Sequence, residues 1–121
     1  MTRGRSYKDL IVWQKARCLA VAVYRQTSQL PSHERFGLTS QMRRAAVSVL
    51  SNIAEGAGRG TDSEFRYFLR IARGSLAELE TQLLLAGDLG YVDNSWDAAD
   101  IAEVGRLLNG LIASISSERS L

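Results

Sequence analysis

Apolar residues recur every three or four positions along most of this 121-residue chain, and this spacing constrains its fold more than any other feature. It is the period of an α-helix with one buried face. Alternation of apolar and polar residues does not persist long enough anywhere to predict a β-strand. The single proline, Pro31, leaves the other stretches free to be helical. We therefore predict an all-α protein.

The helix boundaries follow from capping residues, Pro31 and glycines. Ser6 with Asp9 is a capping-box pattern, and Thr61 with Glu64 is a second. Pro31 ends the first segment, and the glycine-rich stretch after the second segment ends that one. Short links between amphipathic helices predict a single domain, residues 1–121, folded as an up-down-up-down antiparallel four-helix bundle. The predicted helices span about residues 7–28, 38–57, 62–89 and 95–117.

The last three helices each carry one apolar stripe that predicts a core face. In the second helix the stripe consists of Met42, Ala45, Ala46, Val49 and Ile53. In the third it consists of Phe65, Phe68, Leu69, Ala72, Leu76, Leu79, Leu83 and Ala86. In the fourth it consists of Ile101, Val104, Leu108, Leu111, Ile112 and Ile115.

The first helix has more apolar surface than the edge of one bundle buries. Its apolar residues cover about 200° of the helix circumference, compared with the roughly 100° stripe of a typical surface helix. The second helix adds a separate apolar patch that contains Val47 and Leu50. Because exposed apolar patches mark protein partners, we expect a homo-oligomer, and the alternative is a first helix buried within a monomer. The predicted subunit interface consists of Val12, Trp13, Leu19, Val23, Tyr24, Val47 and Leu50.

Several classes of protein are excluded by residues that the chain lacks. One cysteine, Cys18, excludes a disulfide framework and a multi-cysteine zinc site, and one histidine, His33, excludes sites that need two imidazoles. No Glu-x-x-His motif is present, so a di-iron bundle is excluded as well. We predict no cofactor, no metal and no enzymatic activity. Without a secretory signal or a membrane span, we expect a cytoplasmic protein that does not associate with membranes.

Charge is unevenly divided along the chain, and arginine supplies most of the positive charge. Residues 1–60 carry a net charge of +7 and residues 61–121 a net charge of −5. Arg66, Arg70 and Arg73 fall on one face of the third helix, with no acidic residue between them, and we call them the arginine stripe. Two interpretations stay open: charge complementarity within or between subunits, and a basic surface for RNA or DNA. The candidate nucleic-acid-binding residues are Arg43, Arg44, Arg59, Arg66, Arg70 and Arg73.

Two alternative functions are compatible with the same residues. The first is a module that interacts with proteins only. The second is a small-ligand binder or enzyme, in which Glu55 and Glu78 form a polar site between helices near Arg43 or Arg44.

Four sequence blocks, in order, carry a resemblance to a known family. They are DLIVWQKA at 9–16, QMRRAAVS at 41–48, SNIAEG at 51–56 and GSLAELE at 74–80. The chain resembles, over about residues 6–92, bacterial four-helix-bundle proteins first noticed as products of intervening sequences in 23S ribosomal RNA genes. The accessory protein of diversity-generating retroelements is similar to them.

This resemblance implies an all-α bundle that assembles as a ring of five copies without known catalysis. The retroelement relatives further imply nucleic acid and a reverse transcriptase as partners. Taken with the residues, the resemblance predicts a non-enzymatic, pentameric scaffold. This scaffold would bind RNA, DNA or a nucleoprotein partner through arginine-rich surfaces.

Overall fold

The computed structural model describes residues 6–93 and 98–119, with side chains described as far as residue 115. Four α-helices account for most of these residues: α1 Ile11–Thr27, α2 Leu38–Ala57, α3 Asp62–Asp88 and α4 Ala98–Arg119. Two short 3-10 helices, Tyr7–Asp9 and Ser32–Glu34, precede α1 and α2. No strand occurs in the described ranges. The predicted all-α fold with four helices is therefore confirmed.

Capping explains where the helices begin. Thr61 is extended, and its Oγ1 accepts the Glu64 backbone N–H at 3.2 Å, as the capping-box pattern predicts. Ser6 instead caps the 3-10 helix, where its Oγ accepts the Lys8 backbone N–H at 3.1 Å. Leu10 is extended, so α1 begins at Ile11 and not at residue 7. The predicted start of α4, residues 95–97, lies outside the described residues.

The core is formed by the stripes that the sequence predicts. Helix α2 packs against both α1 and α3, and α4 packs against both α3 and α1. The predicted stripe residues are buried except Phe68 and Leu111, which are half-buried. The largest side chains that are almost completely buried are Met42, Val49, Ile53, Leu69, Leu79, Val104 and Leu108, together with Val23 and Thr27 of α1.

Helix α1 differs from the prediction. Val12, Leu19 and Val23 are only 4%, 2% and 0% exposed within the single chain. The reason is that α1 contacts two neighbours, α2 and α4, which divide its wide apolar arc between them. The prediction that these three residues form a subunit interface is therefore wrong. Of the other predicted interface residues, Tyr24 is 45% and Val47 is 40% exposed. Trp13 and Leu50 are partly buried against the core.

Helices α2 and α3 approach each other very closely near their connection. Gly56 is buried, and a Cβ added there would lie 2.7 Å from Phe68 Cβ and 3.2 Å from the Phe65 carbonyl oxygen. Only a residue without a side chain fits at this distance. The turn then reverses through Gly60, whose φ of 93° favours glycine. The glycine-rich stretch is thus a tight helix-to-helix link.

Within the described part of the chain, no helix is long and apolar enough to cross a lipid bilayer.

Candidate functional site

Arg43 connects α2 to the last turn of α1. Its Nε donates to Thr27 Oγ1 at 2.9 Å, and its Nη2 donates to the Tyr24 carbonyl oxygen at 3.2 Å. The guanidinium also lies 4.7 Å from the centroid of the Tyr24 ring. A cation is favourable at a helix C-terminus, where backbone carbonyl groups lack partners. These contacts give Arg43 a structural role between the two helices.

Arg59 lies in a cluster at the α2–α3 turn, formed by Glu55, Arg59, Thr61, Glu64 and Phe68, which we call the corner cluster. Arg59 Nε donates to Glu55 Oε2 at 2.9 Å, and its Nη1 lies 3.8 Å from Glu64 Oε2. Its guanidinium lies 4.9 Å from the centroid of the Phe68 ring. Thr61 Oγ1 donates to Glu64 Oε1 at 2.8 Å, which completes the cluster. The charge of Arg59 is therefore balanced by two carboxylates of its own chain.

The arginine stripe lies on the side of α3 that packs against α4. Arg73 Nη1 donates to Asn109 Oδ1 on α4 at 2.9 Å. Arg70 is exposed, and Arg66 is half-buried and has an interaction partner. The stripe thus contains two exposed arginines, Arg70 and Arg73, and one half-buried arginine, and two of the three also contact other groups of the chain.

Arg44 points in a different direction from Arg43, into a groove between α2 and α3. The groove has a volume of about 510 Å³. It is lined by Gln41, Arg44, Ala45, Ser48, Glu78 and Gln82, and we call it the α2–α3 groove. Ser48 Oγ and Ser75 Oγ are 2.8 Å apart and connect the two helices. Asn52 Nδ2 donates to the Ser48 carbonyl oxygen at 2.8 Å.

Gln82 is the most unusual residue of the α2–α3 groove. Its side chain is 7% exposed, and its Oε1 has no hydrogen-bond partner among the described residues. Buried polar atoms without a partner are rare in folded proteins, because they lose their hydrogen bonds to water. Sequence analysis missed Gln82, because it lies beside Leu83 and Leu79 in a helix that was interpreted only by its apolar stripe.

Glu55 and Glu78 are not brought together. Glu55 binds Arg59 in the corner cluster, whereas Glu78 lies across from Arg44 and Ser48. Glu55 is about 10 Å further along α2 than Ser48, at 1.5 Å per residue. A common polar site containing both carboxylates, as the alternative function required, is therefore not formed. Glu78 and Arg44 do share the α2–α3 groove.

A third polar cluster joins the loop before α2 to the loop after α3. Tyr91 O–H donates to Glu34 Oε2 at 3.0 Å, and the Leu38 backbone N–H donates to Glu34 Oε1 at 3.1 Å. The Leu38 N–H first, and then Tyr91, hold the pKa of Glu34 below its ordinary value. Burial and the bond to Glu34 raise the pKa of Tyr91. His33 Nε2 lies 3.4 Å from the Tyr91 oxygen.

Helix α3 and the residue that follows it, Leu89, also carry exposed apolar side chains that sequence analysis did not identify. Tyr67, Ile71, Leu85 and Leu89 recur at multiples of the helical period and lie on one outer face. The helical spacing of these residues could have indicated this face from the sequence. The pattern was hard to recognise because Gly74 and Glu78 interrupt the same face.

No cluster of three or more metal-ligating side chains is present in the described residues. Cys18 is exposed on α1 and free.

Comparison with known proteins identifies the family. The chain has no significant match among curated proteins. Residues 8–110 match the family described as the 23S rRNA-intervening sequence protein. The matched region contains α1, α2 and α3 and the first half of α4. The chain therefore belongs to the 23S rRNA-intervening sequence protein family.

Proposed function

We propose that this protein is a non-enzymatic scaffold that assembles into a homo-oligomeric ring and binds RNA or DNA through arginine side chains. The observation that carries the proposal is the arginine stripe, where Arg66, Arg70 and Arg73 share one flank of α3 with no acidic residue between them. Like charges at this spacing repel each other, and Arg70 is the exposed stripe residue that has no partner within the described part of the chain, whereas Arg66 and Arg73 both have one. Phosphate groups would supply a partner anion without sequence selectivity.

Within each copy, we propose an up-down-up-down antiparallel order of the helices. Paired residues run in opposite chain directions, which supports this order. In α2 and α3, Ser48 lies beside Ser75. Gly56, which follows Ser48 in the chain, lies beside Phe68, which precedes Ser75.

The pair α3 and α4 shows the same reversal. Arg73 binds Asn109, and Leu76, which follows Arg73, lies beside Gly105, which precedes Asn109. The short links between the helices favour the same order.

For the contact between copies, we propose the outer side of α1 and α2, formed by Trp13, Tyr24, Val47 and Leu50, which we call the α1–α2 seam. Tyr24 and Val47 are exposed large side chains, and Val47 lies one helical turn from Arg43, which binds the end of α1. In a ring, contacts are head-to-tail, so this seam would pack against a second, different surface of the neighbouring copy. We propose five copies, the number that the family resemblance implies.

The size of the assembly tests the first half of the proposal. Light scattering of the purified protein should give about five times the chain mass of 13.3 kDa. Tyr24→Glu combined with Val47→Glu should reduce that mass, because it places charges in the proposed contact. Tyr67→Glu combined with Ile71→Glu, on the outer face of α3, is the matched control and should leave it unchanged. A monomer at every concentration would refute the ring.

Titration with nucleic acid tests the second half of the proposal, the binding of RNA or DNA. Affinity for duplex DNA or structured RNA should fall linearly with salt concentration on a double-logarithmic plot. Arg70→Glu, and more strongly the replacement of all three stripe residues by Glu, should weaken binding. Arg106→Glu changes an exposed arginine of α4 outside the stripe and is the matched control. Equal effects of Arg70→Glu and Arg106→Glu would remove the stripe from the proposal.

A module that binds proteins only is the second candidate. The exposed apolar face of α3, with Tyr67, Ile71 and Leu85, favours it. The resemblance adds a reverse transcriptase as one class of such a partner. Absence of any DNA or RNA binding at low salt, with the assembly intact, would select this candidate.

A further inference from the structure

The α2–α3 groove contains hydrogen-bonding groups that the chain itself does not use. Gln82 Oε1 is buried and has no partner within the described residues. Glu78 precedes Gln82 by one turn of α3, so their Cβ atoms are about 5–6 Å apart. Arg44 lines the opposite wall, and neither Arg44 nor Glu78 forms an ion pair or a hydrogen bond across the part of the chain described. Two sets of acceptors on α3 thus face a cationic donor on α2.

The charges in the groove restrict what it can hold. A simple anion is disfavoured by the Glu78 carboxylate, and a simple cation is disfavoured by the Arg44 guanidinium. A neutral group suits the groove when it presents N–H donors on one side and a carbonyl oxygen on the other. The donors would then meet Glu78 and Gln82, and the carbonyl oxygen would meet Arg44. The volume of about 510 Å³ is within the range of small-ligand sites.

We propose that the α2–α3 groove binds a guanine base. The Watson–Crick edge of guanine presents N1–H and the N2 amino group next to the O6 carbonyl. Glu78 accepts from one donor group and Arg44 donates to O6, and Gln82 Oε1, which is covered in the free chain, accepts from the other donor group once its amide turns toward the groove. Adenine, cytosine and uracil each present a single donor group on this edge, so either Glu78 or Gln82 is left without a donor. Unpaired bases are read by proteins on this edge.

The source of the guanine is an unpaired base of RNA or a free nucleotide, and the RNA source rests on the proposed function. The two sources share the same base chemistry. They differ in whether neighbouring phosphates add contacts with the protein.

Nucleoside monophosphates provide the direct test. In ¹H–¹⁵N spectra of the labelled full-length protein, GMP should produce saturable shifts confined to residues 41–48 and 75–82, including the Gln82 side-chain amide. IMP lacks the N2 amino group and should bind about tenfold more weakly, as should AMP, CMP and UMP. Equal shifts with all five nucleotides, or shifts confined to the arginine stripe, would overturn the proposal.

Substitutions in the groove test the same contacts. Glu78→Gln changes an exposed side chain and should weaken GMP binding about tenfold, because a charged acceptor is lost. Glu80→Gln removes the neighbouring exposed carboxylate, which does not line the groove, and is the matched control. Gln82→Met removes the buried acceptor and should weaken GMP more than IMP. Unchanged GMP affinity in Glu78→Gln would overturn the proposal.

Short oligonucleotides separate the two sources. An eight-nucleotide uridine strand with one central guanosine should bind more tightly than an all-uridine strand and more tightly than GMP if the source is RNA. Binding of GMP without this gain would assign the groove to a free nucleotide. Binding of RNA without any guanine preference would overturn this inference and leave the proposed function standing. Binding of GMP without binding of structured RNA would support this inference and overturn the proposed function.

Discussion

In the corner cluster, Arg59 lies between Glu55 and Glu64, whereas in the α2–α3 groove Arg44 and Glu78 have no such partners within the described residues. Both regions lie between α2 and α3, and both contain arginine and glutamate side chains. The corner cluster uses its charges to join α2 to α3, next to the close approach at Gly56. The groove leaves its hydrogen-bonding groups available. This contrast indicates that charge composition alone does not separate a structural cluster from a binding site.

The largest expected effect is at the close approach beside the corner cluster. Gly56→Ala places a methyl group 2.7 Å from Phe68 Cβ, so the helices must separate. We expect a loss of roughly 1–3 kcal/mol of stability, measured by denaturant unfolding. Gly74→Ala is the matched control, since no atom lies within 4 Å of its added Cβ, and it should stabilise α3 by up to about 1 kcal/mol. Equal effects at the two positions would contradict the close approach.

The second-largest expected effect is a gain in stability at the α2–α3 groove. Gln82→Met removes a buried acceptor without a partner and keeps a side chain of similar length. We expect a gain of about 1 kcal/mol, at the lower end of the cost of an unsatisfied buried group, seen as a higher thermal midpoint. Gln41→Met, at an exposed position of the same groove, should change the midpoint little. A lower midpoint for Gln82→Met would show that its oxygen is satisfied in the folded protein.

A smaller effect is expected for the charges of the corner cluster. Arg59→Gln removes the contacts with Glu55 and Glu64, but these side chains are about half exposed, so solvent screens them. We expect a loss below about 1 kcal/mol, which decreases further in high salt. Arg70→Gln, at an exposed position of the arginine stripe, should not lower stability, because it removes a like-charge repulsion with Arg66 of roughly 0.2–0.5 kcal/mol. A loss at Arg59 that is independent of salt would assign its role to packing on Phe68.

The smallest effect is a dependence of stability on pH at Glu34. The pKa of this carboxyl is lowered in the folded protein, so its contribution is present above the ordinary value of 4.5 and is lost as the pH falls below it. Glu34→Gln should therefore reduce the difference in thermal midpoint between pH 7 and pH 3.5. Tyr91→Phe removes one of the two donors and should reduce it less. An unchanged difference in both variants would contradict this linkage.

Much of the fold was predictable from the sequence, because helix periodicity, Pro31 and the glycines are local signals. The core stripe of α2 and the Thr61 cap are examples, and both were confirmed. The environment of α1 was not predictable in the same way. Periodicity gives the width of an apolar arc, but it does not give the number of helices that cover it. Val12, Leu19 and Val23 were therefore assigned to a surface that α2 and α4 in fact bury.

The candidate site was predictable only in part. Arg44 and Glu78 were identified as charged residues, but nothing in the sequence indicated that they face each other while Glu55 binds Arg59. That arrangement depends on how α2 and α3 align, which Gly56 and the Ser48–Ser75 contact help to fix. Gln82 was missed because burial without a partner is a property of the packed helix pair and not of a residue type.

The contact between α1 and α4 has a consequence for synthesis of the chain. Helix α1 emerges first, yet one of the two helices that cover it is translated last. At roughly 5–20 residues per second, the interval between Thr27 and Ala98 lasts several seconds. During that time Lys15 lacks the Glu103 partner that it contacts at 3.5 Å in the finished protein. Until α4 is made, the side of α1 that it covers has no partner within the chain, and this is the stage at which chaperone capture or premature pairing with another chain would compete with folding.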